Sequence, residues 1–87
     1  MKHATGPSLD AIEELLRQVR ALAVLKEKSR GVFYRGGRAA LHFHEDPAGL
    51  FADLRAGGDW ERLAVNTQSE RTALLRRIHA GFSPVRE

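Results

Sequence analysis

The chain has 87 residues and no cysteine, with 14 Lys and Arg against 11 Asp and Glu for a formal charge of +3. One small domain fills that length, and the missing thiols exclude a disulfide framework, a thiolate nucleophile and any Cys-ligated zinc or iron–sulfur centre. The sequence pI is near 10.0, but acidic and basic residues alternate along the chain, so charge permits an anionic partner without indicating one.

In chain order, Ile12, Leu15, Leu16, Val19, Leu22 and Ala23 recur at three–four spacing and predict a helix over about residues 9–28. Ser8 or Asp10 can cap it, Asp10, Glu13 and Glu14 suit its positive end, Lys26 and Lys28 its negative end, and Gly31 stops it. A hairpin follows, "GVFYR" and "RAALHFH" around Gly36-Gly37, a pair that accepts the positive φ angles of a two-residue turn. With that turn, Arg35 faces Arg38, Phe33 faces Ala40 and Val32 faces Leu41. Alternation then sends Val32, Tyr34, Ala39, Leu41 and Phe43 toward the helices, and Phe33, Arg35, Arg38, Ala40, His42 and His44 to the opposite face.

In "EDPAGLFADLRAGG" the pattern predicts a short helix: Asp46 as N-cap, Pro47 at the first helical position, Leu50, Phe51 and Leu54 as the apolar stripe, and Gly57-Gly58 as the stop. "DWERLAV" reads as a third strand with Leu63 and Val65 inward and Trp60, Arg62 and Ala64 outward. Thr67 and Glu70 have capping-box spacing before a last helix that buries Leu74, Leu75 and Ile78 and ends at Gly81, with Phe82 folding back. Residues 1–7 and 83–87 read as flexible tails. The whole is an α+β two-layer domain in the order helix, strand, strand, helix, strand, helix. Its helices gather on one face of a small sheet and leave the other uncovered.

That uncovered face, with Phe33, Arg35, Arg38, His42, His44, Trp60 and Arg62, is where function is expected. Exposed rings on a sheet face call for a cover, and in a chain this short a twofold homodimer is the favoured one. The alternative is single-stranded RNA, with Phe33 and Trp60 stacking bases while Arg35, Arg38 and Arg62 meet phosphates. His42 and His44 share a strand face and are weak metal candidates, because two imidazoles supply half of a zinc or iron site. "GRAALHFH" also matches the glycine and His-x-His half of the cupin motif. The glutamate that should follow is missing, with Ala48 and Gly49 in its place, and the match fails.

No nucleophile elbow or glycine-rich phosphate loop occurs, and the carboxylates of Glu45 and Asp46 splay apart. RNA cleavage would need His42 or His44 as base, with Arg35 or Arg38 on the phosphate. The expected protein is therefore a non-enzymatic interaction or ligand-binding module without a cofactor. No apolar run is long enough to cross a bilayer, and "MKHATGPS" has no apolar segment after Lys2. A cytoplasmic setting with no membrane partner is expected.

Overall fold

The computed structural model describes residues 2–82. Its elements are β1 (Lys2–His3), α1 (Gly6–Ala11), α2 (Glu13–Leu22), β2 (Lys26–Ser29), β3 (Val32–Arg35), β4 (Arg38–Asp46), β5 (Gly49–Leu54), β6 (Glu61–Ala64) and α3 (Gln68–Gly81). The strands form one antiparallel sheet in the order β2-β3-β4-β5-β6, and β1 lies beside the far end of β4. The fold is α+β in two layers, with all three helices on one side of the sheet. Leu9 of α1, Leu15, Leu16 and Val19 of α2, and Leu74 and Ile78 of α3 join Phe33, Leu41, Phe43, Ala52 and Leu54 of the sheet in one buried cluster. No helix among the described residues is long and apolar enough to cross a membrane.

The first helical stretch is shorter than its periodicity predicts. Ile12, at φ −116°, breaks it into α1 and α2, and Ala23 ends α2 in the left-handed region at φ 58°. Residues 26–29 leave the helix and become the edge strand β2. Lys26 and Lys28, read from sequence as helix-dipole partners, line an exposed edge, where charge discourages pairing with another chain. Glu27, between them, turns inward and receives Arg20 of α2 at 2.5 and 3.1 Å. Arg20 also reaches Glu13, which Arg30 contacts from the β2–β3 turn. These guanidiniums hold the Glu13 carboxyl at about 2. Arg30 also pairs with Asp10 of α1, so one ionic chain ties both helices to the sheet edge.

The glycine turn forms as expected, with Gly36 and Gly37 at φ 58° and 83° and Arg35 opposite Arg38. Beyond that pair a bulge intervenes: Tyr34 pairs with Ala39, but Phe33 pairs with Leu41, leaving Ala40 as the extra residue. This slip by one residue reverses the expected faces of β3, and Phe33 enters the core with 0% exposure.

Residues 49–54, expected to be helical, form strand β5 inside the sheet, between β4 and β6. Asp46 begins a turn rather than a helix: its Oδ1 accepts the Ala48 N–H at 2.6 Å, and Gly49 adopts φ 131°. Six pairs then zip β4 to β5, from Asp46–Gly49 to Leu41–Leu54. Leu50, Ala52 and Leu54 alternate inward, a period of two that a six-residue apolar segment does not separate from a helical stripe.

The last helix follows its sequence closely. Glu70 N–H donates to Thr67 Oγ1 at 3.1 Å and Thr67 N–H to Glu70 Oε1 at 3.0 Å, which completes the capping box. At the other end of the chain, residues 2–7, expected as a tail, are built into the fold. Glu45 holds them, accepting the Thr5 N–H, the Thr5 hydroxyl and the Ser8 hydroxyl at 2.7, 3.0 and 2.9 Å. The expected tail at 83–87 lies outside the described residues.

Candidate metal centre

Strand register decides what the uncovered face carries. Leu41 and Phe43 of β4 point into the core, so His42 and His44 between and beyond them point away from the helices. Their cross-strand partners on β5 are Asp53 and Phe51, and Asp53 in turn pairs with Arg62 of β6. On the other edge of β4, β1 sets His3 directly opposite His44.

Three imidazoles therefore meet on one face. Ring centroids are 5.0 Å apart for His3 and His44, 5.5 Å for His3 and His42, and 4.7 Å for His42 and His44. One nitrogen from each ring lies within 4.8 Å of the other two. The Trp60 ring meets His42 edge-on at 4.8 Å, and the Arg55 guanidinium lies over the Trp60 ring, 4.5 Å from its centroid.

Asp53, the buried charged side chain among the described residues, is gripped by Arg62 through two bonds of 2.8 and 2.9 Å. That guanidinium holds its carboxyl below the usual carboxylate range, against the opposing effect of burial. Asp53 Oδ2 also stands 2.9 Å from His44 Nε2, without hydrogen-bond alignment. Burial, followed by the neighbouring His44, pushes His42 below its ordinary value, which favours the neutral ring a metal requires. His42 Nδ1, His44 Nδ1 and His44 Nε2 are buried and have no hydrogen-bond partner. Buried polar atoms in a folded protein normally find a partner, and a bound ion is one way to supply it.

The set suits a first-row divalent cation, for which neutral imidazole is a common ligand. Zinc–nitrogen bonds of about 2.0–2.1 Å place tetrahedral ligands roughly 3.3 Å apart. The ligand atoms, which lie within 4.8 Å of one another, must draw closer to reach that spacing, and His3, the exposed member, sits on a two-residue strand.

Of the residues expected on this face, His42, His44, Trp60 and Arg62 come together there. Phe33 does not: the bulge buries it under the helices. Arg35 follows Phe33 to the helix side, where Nη1 donates to Val24 O at 2.9 Å and the guanidinium lies 5.7 Å from the Phe82 ring. Arg38 is exposed beside it, and both line a cavity of about 170 Å³ with Arg55 and Phe82, apart from the histidines. Two members of the cluster were not foreseen. His3 sits in a segment without periodicity, and Asp53 in one whose pattern also fits a helix. The available signal was the two-residue alternation of Leu50, Ala52 and Leu54, which would have put Asp53 beside His42.

No protein-family model, no curated protein and no solved structure matches the chain.

Proposed function

We propose that this chain is a small metal-binding module that holds a divalent transition-metal ion through His3, His42 and His44. The observation that carries this reading is the arrival of His3 from β1 as a third imidazole within 4.8 Å of the pair on β4. Two histidines are half a site; three are the protein share of an open zinc-type centre. The orphaned ring nitrogens and the charge-neutral pair Asp53–Arg62 support it further. Binding of Zn(II) measured by calorimetry on metal-free protein, with elemental analysis of the complex, tests the reading. One ion per chain is expected, abolished in the His42→Ala/His44→Ala double variant and weakened at least about tenfold in His3→Ala. Substoichiometric metal that the double variant retains would dismiss the site.

A second reading, self-association through the open face, rests on Trp60, which is 41% exposed and is the exposed large hydrophobic side chain among the described residues. Light scattering at micromolar concentration in moderate salt tests it: a twofold assembly is expected and a monomer would end it. RNA binding has less support than its sequence suggested. The stacking platform required Phe33 beside Trp60, and Phe33 is in the core.

A further inference from the structure

Imidazole ligands bring no negative charge to an ion, so the surroundings determine what can compensate it. Zinc-type ions take four or more ligands, so three histidines leave at least one position open. The carboxylate nearest the cluster is Asp53, 2.9 Å from His44 Nε2. Arg62 engages both of its oxygens, at 2.8 and 2.9 Å, which neutralises much of their charge and makes Asp53 a weakened ligand for the ion. Glu45, although adjacent to His44 in sequence, projects toward the other face, where Thr5 and Ser8 occupy its Oε1. Asp46 is engaged with the Ala48 N–H in the turn.

The protein thus presents its own acids to other partners. His3 is the exposed member of the cluster, and Trp60, carrying Arg55, packs against His42. A dication held by the three imidazoles has as its nearest carboxylate one already paired with Arg62, and a second guanidinium, that of Arg55, close to its wall.

We infer that the open position of the His3–His42–His44 centre binds a small exogenous anion through an anionic oxygen, of the carboxylate or phosphate class. This rests on the metal-binding reading and adds its ligand. Arg62 acts as a positioning residue here: by keeping Asp53 off the ion, it reserves the position for the incoming group. The arrangement therefore predicts an unusual sign, since removing Arg62, a cation, leaves metal binding intact or tighter while weakening the anion.

Cobalt(II) in place of zinc makes the centre visible, because its d–d absorption reports coordination number and ligand type. The Co(II)-loaded protein is titrated separately with sodium acetate and with inorganic phosphate, and the Arg62→Gln variant is treated in parallel. A saturable spectral change is expected for the wild-type protein with at least one probe, and the stronger of the two responses identifies the headgroup class. In Arg62→Gln the apparent anion affinity is expected to fall about tenfold, the effect of one uncompensated negative charge beside a partly hydrated ion. Co(II) absorption that depends on the histidines yet ignores both anions in large excess would overturn the inference and leave the metal reading standing. A chain that develops no histidine-dependent Co(II) spectrum would remove both. The wild-type titration decides the matter even where Arg62→Gln fails to fold.

Discussion

The two faces of the sheet are built from the same strands, often from neighbouring residues, yet follow different rules. On the covered face Phe33, Leu41, Phe43, Ala52 and Leu54 meet the helices at exposures of 0–2%, and nearly any well-packed apolar set of the right volume serves. On the open face His3, His42, His44, Asp53 and Arg62 make contacts whose value depends on which atom faces which. Burial energy is non-directional and belongs to the first face; the second depends on register, because a slip by one residue sends its members into the core. Stability and chemistry are thus carried by alternate side chains along β4 and β5.

The largest test of this division compares aromatics. Phe33→Ala is expected to lose about 3–5 kcal/mol of unfolding free energy, as for a fully buried ring. Trp60→Ala, on the open face, is expected to lose about 1 kcal/mol or less. Equal losses in chemical denaturation would erase the distinction between the faces. Next comes the register of β5. At Gly49, φ is 131° and an added Cβ would stand 2.6 Å from Asn66 Oδ1, so Gly49→Ala is expected to cost roughly 1–3 kcal/mol. Because β5 also pairs with β4 alongside His42 and His44, this variant should weaken zinc binding as well; retention of full affinity would show that the turn does not set the site.

Smaller effects separate the faces by pH. Burial holds His42 below its ordinary value in the folded chain, whereas in the unfolded chain it takes a proton near pH 6.5. The unfolded state therefore binds more protons as pH falls through that value, and stability of the metal-free protein declines with acidification. A His42→Gln variant should show a flatter decline; an unchanged slope would contradict the burial of that ring. The smallest effect expected is that of His3→Ala on metal-free stability, close to zero, because the ring is exposed. The same change should still impair zinc binding.

The covered face was largely legible in the sequence, and the open face only in part. Apolar spacing located α2 and α3, the Thr67–Glu70 capping box fixed one helix start, and Gly36-Gly37 identified a turn, since each is a local signal. The bulge at Ala40 has no such mark: Ala39 and Ala40 are alike, and only packing selects which residue is extra. Residues 49–54 satisfy strand and helix patterns equally, and pairing with β4 and β6 decides between them. His3 was the least legible. It reaches the site through one backbone pair with His44, forty-one positions away in the chain, and through the Glu45 bonds that anchor Thr5 and Ser8.

Three particular imidazoles, and not the fourth, are proposed to converge on one ion. The chain contains four histidines, and His79, on the exposed side of α3, is an internal control. Long-range proton–nitrogen correlation spectra of the imidazole rings, recorded as zinc is added to one equivalent, read each ring separately. Nitrogen resonances of His3, His42 and His44 are expected to move together and stop at one equivalent while His79 stays in place. Ring signals that do not move, or a His79 that responds as strongly as the others, would contradict it.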